Sequence, residues 1–525
     1  MITRTKFLIP GALAILLAVG QATAQDAQKP EPSEKEAKPA TKPAPEPKEE
    51  FSVTDHTIKI GGQTISYKAT ASTTLIKDDA GEPTASIFTI AYTRSDANSK
   101  DMSQRPISFV YNGGPGSSSI WLHMGAFGPR RVVTTDAGPT PPPPFKLVDN
   151  AECLLDKTDL VFIDPVGTGF SRAVGKAKDK DFWGVDQDVK SLAQFISIYV
   201  SRNGRWNSPK FLIGESYGTF RSAALGNYLQ NHNGMYFNGI VLISSVLDLA
   251  TISFPPGNDM PYIFYVPSYA AAASYNKLLK NQPVDLNAFL AEARQFASTE
   301  YAVALMKGAN ISSTEKADIA KKLSRFTGLS EDYLIKADLR VKLSQFMAEL
   351  QRTRGLATGR YDSRFSGPEP DLLAENASND PQSNAVTGAF VAAFNSYVRE
   401  ELKFGKDLTY NSIAMEVNGA WDWKRAPQQG RQSGFPGAPN VEQDLVDAIV
   451  TNTHLHVEVE NGLYDLATPF FATEYTMTHL GLPENLQKNV SLKYYDAGHM
   501  MYLHEADLSK LKGNVAAFLD NATKQ

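Results

Sequence analysis

A serine stands in the run Gly214-Glu215-Ser216-Tyr217-Gly218, which has the residue types and spacing of a nucleophile elbow. The strand-like run Lys210–Ile213 precedes it, and a helical pattern follows from Tyr217 to Leu229, the context that motif requires. In so tight a turn, side chains at the flanking positions would clash, so glycines stand there. The strained backbone lifts the hydroxyl above the sheet edge, and the next helix aims its N-terminal amides at a developing oxyanion.

A serine hydroxyl is a poor nucleophile without a base, and on this scaffold the order along the chain is serine, carboxylate, histidine. His499 follows the β-like run Val490–Tyr495, and Asp465 lies just past the strand pattern His454–Val459, so both meet that order. Each is expected on a loop at a strand end, where an open α/β sheet places its sites. Asp496 competes as the acid, but three residues from His499 it is too close in sequence to face the ring easily. Asp164 ends a strand but precedes Ser216. His56, His123 and His232 also come too early in the chain. His454 and His456 have a spacing that suggests a metal, yet no further ligand set accompanies them, and His479 and His504 read as surface or loop residues. No metal or organic cofactor is indicated. The oxyanion needs two donors. One is the amide of Tyr217, and the other is expected from Asn112-Gly113-Gly114-Pro115-Gly116, whose glycines let backbone approach substrate closely.

The elements that must position these groups are legible around them. Ile107–Tyr111, Asp159–Ile163, Lys210–Ile213 and Gly239–Ile243 are short, near-continuous apolar runs, the mark of strands covered on both faces, and the sheet pattern resumes at 455–459. Helical patterns over 183–200 and 217–229 alternate with them, which predicts βαβ units and a mostly parallel sheet. Before these, 57–67 and 86–93 read as an antiparallel meander. Between 253 and 430 the pattern becomes helix after helix, with apolar stripes at Leu286, Phe289, Leu290, Ala293 and Phe296, at Ile319, Leu323 and Phe326, at Leu339, Leu343, Phe346 and Leu350, and at Phe390, Phe394, Tyr397 and Leu402. Ser312 and Glu315 suggest a capping box. The block reads as a helical insertion between a first core segment, 51–252, and a second, 431–525, whose last helix is expected over about 507–520.

Of 525 residues, 42% are hydrophobic and 21% charged, an ordinary globular composition. The formal net charge of −5 offers nothing basic to attract nucleic acid. The lone cysteine, Cys153, excludes a disulfide within the chain and a cysteine-rich zinc site. Residues 1–24 have the form of a cleavable secretory signal: Arg4 and Lys6, the apolar run Phe7–Val19, then Ala22-Thr23-Ala24. Residues 25–50 are rich in Pro, Lys and Glu and read as a solvated linker unable to bury enough apolar surface to fold. Export, a spacer and no disulfides point to a bacterial envelope compartment or the outside, with no stable membrane anchor once the signal is cut.

These motifs together resemble the serine carboxypeptidase family. Asn112–Ser119 is similar to its N-G-G-P-G-C-S-S, Ile163–Ser171 to its D-Q-P-V-G-x-G-F-S, Gly214–Gly218 to its G-E-S-Y-G, and Gly462–Asp465 and Ala497–Met500 to its acid and histidine motifs. The resemblance implies an α/β-hydrolase fold with a helical cap, a triad of Ser216, Asp465 and His499, and oxyanion donors at Gly114 and Tyr217. It further implies that Asn112, Gly113 and Glu215 hold a peptide's C-terminal carboxylate. A glutamate can do so only if one of the two carboxyls carries a proton. Three positions depart from the family: Ser117 replaces its cysteine, Val110 its tryptophan, and Ala126 the second glutamate that shares the proton. The expected activity is a secreted serine peptidase releasing C-terminal residues. An aminopeptidase or esterase on the same fold, or a binding protein on an inactive scaffold, are the rivals. Trp121 and Phe170 are weaker candidates for the specificity pocket, and oligomeric state is unreadable.

Overall fold

A computed structural model describes residues 47–95, 103–426 and 437–524. The signal and most of the linker expected over 1–50 lie outside the described residues. The exception is the end of that linker: Glu49 pairs with Arg202 at 2.9 Å and Glu50 donates its amide to Thr73 Oγ1 at 2.8 Å, so residues 47–50 join the folded part. A charged segment can dock in this way once a long strand beside it supplies partners.

The centre is one mixed sheet. Its strands are β1 (Phe51–Ile60), β2 (Gln63–Lys77), β3 (Pro83–Arg94), β4 (Ile107–Tyr111), β5 (Asp159–Ile163), β6 (Lys210–Glu215), β7 (Gly239–Ile243), β8 (His456–Gly462) and β9 (Val490–Tyr495). They run side by side in the order β1-β2-β3-β5-β4-β6-β7-β8-β9, with the short strand Arg172–Ala173 beside β3. β1, β2 and β3 are antiparallel, β3 meets β5 antiparallel, and every later pair is parallel. This is the α/β-hydrolase fold, with the strand crossing between β4 and β5 that puts β6 near the middle.

Burial explains the sequence patterns. Every residue of β4, β5, β6 and β7 is buried, as continuous apolar runs require. β1 instead alternates, because one of its faces meets solvent. Along β4, Phe109 enters the core beneath helices α1 (Val185–Arg202) and α2 (Tyr217–Asn233), while Val110 enters the opposite core. The last helix, Glu505–Ala522, covers that opposite face through Leu508, Leu511 and Val515.

A third core belongs to the helices between β7 and β8. It joins Tyr265 and Tyr269 of α3 (Met260–Tyr275) to Phe289, Leu290, Leu323 and Phe346. The Ser312 side chain caps helix Ser313–Thr327 by accepting from Glu315 N–H, and Gly328 ends it in the left-handed region, where glycine is strain-free. One stripe is shorter than its spacing predicts. The helix carrying Phe346 spans only Leu343–Glu349, because Leu339 sits in a turn at φ +62°. This third core also takes in Leu463, Leu466 and Phe470, so the helical block packs on the loop that carries Asp465.

Candidate active site

The loop order places the chemistry at the C-terminal ends of the parallel strands. β6 ends at Glu215, and α2 begins at Tyr217, which leaves Ser216 alone in the turn with φ +60° and ψ −129°. A non-glycine residue held there costs about 1–3 kcal/mol, a strain that recurs at functional sites. The two glycines have separate reasons. A Cβ on Gly214 would stand 2.2 Å from Gly218 O, and one on Gly218 would stand 3.0 Å from Tyr111 O. The fold therefore needs both positions bare for β6, α2 and β4 to meet. The Ser216 amide donates to Ile243 O at 3.0 Å, anchoring the turn to β7.

His499 follows β9 by four residues, and its ring Nδ1 lies 2.7 Å from Asp465 Oδ2. Both side chains are buried. Asp465 is over-determined. Its Oδ1 accepts the amides of Ala467 and Thr468, at 2.7 and 2.9 Å, and its Oδ2 accepts the Thr468 hydroxyl at 2.7 Å. Burial alone would lower the imidazole's pKa. The charge of Asp465, its hydrogen bond and the charge of Glu215 outweigh burial, and the net shift is upward. Ser216 Oγ forms no hydrogen bond to His499, but both border one cavity of about 320 Å³. Apo contacts of this kind commonly tighten only when substrate is bound.

The glycine-rich loop after β4 forms the opposite wall. A Cβ on Gly113 would lie 2.4 Å from the Tyr217 amide nitrogen, so this backbone runs directly against the start of α2. Gly113 and Gly114 both border the cavity. The Tyr217 amide, at the first position of α2, is among those without an intrahelical acceptor. Asn112 is fixed on three sides. Its Nδ2 donates to Glu215 Oε1 at 2.9 Å, its Oδ1 accepts Leu122 N–H at 3.0 Å, and its carbonyl accepts Arg221 at 2.7 Å. Glu215 is also buried, and burial pushes its carboxyl up to about 7 although the positive charge of His499 opposes the rise. The Tyr502 hydroxyl is buried against the same carboxyl.

The other sequence candidates fall elsewhere. Asp496 is exposed, whereas His499 is buried and takes Asp465 as its carboxylate partner. Asp164 is buried and accepts the Ser119 amide at 2.8 Å, a structural bond. His123 hydrogen-bonds Tyr92 within the core at 2.6 Å. Trp121 lines the cavity, whereas Phe170 packs into Phe88, Phe404 and Tyr410. The departures are accommodated: Ser117 Oγ accepts Trp121 Nε1–H at 2.9 Å, and Ala126 is buried in a single π-helical turn, Leu122–Phe127. A larger groove, about 840 Å³, runs along α1 and is bordered by none of the predicted site residues.

Sequence reasoning missed the segment Arg360–Asp362, which carries no motif. Tyr361 O accepts the His499 amide at 2.6 Å, and Asp362 Oδ2 accepts that of Gly498 at 3.0 Å. A Cβ on Gly498 would stand 2.4 Å from Tyr361 O, which explains that glycine. Thr468 was missed as well, although its place three residues after Asp465 was a usable signal for an Asx-type turn.

With this geometry in place, comparison with known proteins decides the family. A family model described as serine carboxypeptidase matches residues 91–512. The chain belongs to that family. Serine carboxypeptidase-like 22 of Arabidopsis thaliana is 26% identical over 196 residues, 36% of this chain and 40% of the relative. Pheromone-processing carboxypeptidase KEX1 of Saccharomyces cerevisiae is 32% identical over 169 residues, 30% of this chain and 22% of the relative. In both alignments the chain spans less than half of the relative's length. The crystal structure of KEX1ΔP, a prohormone-processing carboxypeptidase from Saccharomyces cerevisiae, superposes with a TM-score of 0.54 at 17% identity, covering 87% of this chain and 92% of that one, and supports the fold.

Proposed function

We propose that this serine carboxypeptidase family member is an active peptidase that releases C-terminal residues through an acyl-enzyme. The observation that carries the reading is the convergence on one cavity of the strained Ser216 and the buried His499–Asp465 pair at 2.7 Å. Ser216 Oγ attacks the scissile carbonyl while His499 Nε2 takes its proton. Asp465, bonded to Nδ1, fixes the tautomer and stabilises the imidazolium. The amides of Gly114 and Tyr217 bind the oxyanion, and His499 returns the proton to the leaving amine. Water then attacks the ester, with His499 again as base.

Asn112, Gly113 and Glu215 hold the substrate's terminal carboxylate. The elevated pKa of Glu215 supports this role, since its protonated form donates a hydrogen bond where the ionised form repels. The same residue supports a second reading: ionised, and bordering the cavity, it would suit a substrate amine, as an aminopeptidase needs. The helical stretch 253–430 acts as the cap over the site. The signal-like start at 1–24 supports export, to the periplasm or beyond, and N-terminal sequencing of the exported protein tests it. Among the described residues no helix is long and apolar enough to cross a membrane.

The activity is tested with two peptides, one blocked at its N-terminus and one amidated at its C-terminus. Cleavage of the first with the second largely spared is expected. The reverse pattern supports the aminopeptidase reading, and no labelling by a serine-directed phosphonate rejects both.

A further inference from the structure

We propose that Arg360 binds a substrate carboxylate and sets the selectivity of the cavity for acidic substrates. This rests on the serine peptidase reading of the same site.

Among the described residues, Arg360 is the only side chain of permanent positive charge that borders the cavity containing Ser216 and His499. It is solvent-exposed and makes no hydrogen bond or ion pair through its guanidinium to any described residue; the guanidinium carbon stands over the face of Tyr361, 5.1 Å from the ring centroid. The Tyr361 ring in turn sits 5.2 Å from the imidazole of His499. The Arg360 charge reaches far enough to oppose protonation of that imidazole.

The two acids that share its field are already committed. Asp380 caps helix Pro381–Ser396. Its Oδ1 accepts Ser383 N–H at 2.7 Å, and its Oδ2 accepts the backbone amides of Arg360 and Tyr361. Asp465 spends both oxygens on Ala467, Thr468 and His499. The guanidinium fork is therefore free, and a planar fork pairs best with a carboxylate, two hydrogen bonds at once. The walls beside it are apolar, including Val386, Ile413 and Met500, so a bound carboxylate would be partly shielded from water and the pairing strengthened. The site also has a need for a cation. Glu215 and the Asp465 behind His499 repel a substrate anion when ionised, and His499 must be neutral to act as base, so Arg360 is the bordering group whose positive charge persists during turnover.

The carboxylate has two possible sources, the peptide's own terminus and an acidic side chain beside the scissile bond. The test uses N-blocked peptides in matched pairs, free acid against amide at the terminus, and Glu against Gln on either side of the bond. Wild type, Arg360→Gln and Arg360→Lys are compared by kcat/KM, with melting temperature to verify folding. In Arg360→Gln, one preference ratio is expected to fall by about 10- to 100-fold, mostly through KM, the scale of a charged hydrogen bond. A fall in the acid/amide ratio assigns the terminus, and a fall in the Glu/Gln ratio assigns the side chain. Arg360→Lys keeps the charge without the fork and is expected to lie between, which decides the matter should Arg360→Gln misfold. Both ratios unchanged in folded variants of a phosphonate-labelled wild type overturn the Arg360 proposal alone. A wild type that cannot be labelled removes the peptidase reading, and this proposal with it.

Discussion

The side-chain amide of Asn112 donates to Glu215 Oε1 at 2.9 Å, which ties the loop after β4 to the residue immediately before Ser216. A carboxyl that titrates near neutrality is thus attached to the nucleophile's own backbone. His499 must be neutral to act as base, so turnover rises with pH through its elevated pKa. Glu215 must be protonated to hold a carboxylate, so KM for free-acid peptides rises as pH passes about 7. The product is a bell-shaped kcat/KM. Glu215→Gln, which cannot ionise, is expected to remove the alkaline limb for KM while leaving the acid limb. A KM that climbs equally in that variant contradicts the role.

Replacing Ser216 by Ala is expected to lower kcat by about 10⁴-fold or more, with phosphonate labelling abolished and the melting temperature equal or raised, because alanine removes only the hydroxyl. Turnover near wild type would dismiss Ser216 as nucleophile.

Asp465→Asn preserves shape but reverses a hydrogen bond, since the amide offers a donor where Nδ1–H needs an acceptor. By analogy with other triads, kcat should drop by about 10⁴-fold. Thr468→Val removes one of Asp465's donors and is expected to cost about tenfold in kcat. An unchanged kcat in Thr468→Val would mean the remaining amides hold Asp465 by themselves.

The glycine-rich loop and the elbow meet with no room for a methyl group. Gly113→Ala would force a Cβ to 2.4 Å from the Tyr217 amide nitrogen, and that displaces the oxyanion loop. A loss of about 10²-fold or more in kcat is expected, the scale of a lost oxyanion donor. Retained kcat with an intact fold would place the oxyanion elsewhere.

Beneath the site lies a buried ion pair, Arg221 to Asp188 at 2.6 Å, both almost wholly inaccessible. Arg221 also donates to Asn112 O, so the pair props the oxyanion loop from behind. Asp188→Asn leaves an unpaired buried guanidinium and is expected to cost about 3–5 kcal/mol in urea unfolding. A cost below about 1 kcal/mol would mean that water or rearrangement satisfies Arg221.

What could be read from the sequence follows the range of the forces involved. Strands β4 to β7 are fully buried, so their apolar runs were unmistakable, and Ser216 lies in a turn whose two glycines and serine form one compact five-residue motif, although the contact that requires Gly218 comes from distant Tyr111. His499 and Asp465 were reachable because chain order and strand ends confine them. Arg360, Tyr361 and Asp362 were not, since they reach His499 across more than a hundred residues and leave no periodicity behind. Leu339 misled for the opposite reason: helical spacing continued through a residue whose backbone turns left-handed. The Thr468 bond was local and legible in principle.

Cys153 is fully buried, and burial pushes its thiol up to about 12. No thiolate is on offer at neutral pH, and no sulfur–sulfur link exists within the chain to be cut. Dithiothreitol and iodoacetamide should both leave the folded protein indifferent, and its maturation needs no oxidising partner. A cytosolic expression host would then fold the same catalytic region as a secreting one, differing only in the uncut segment 1–24.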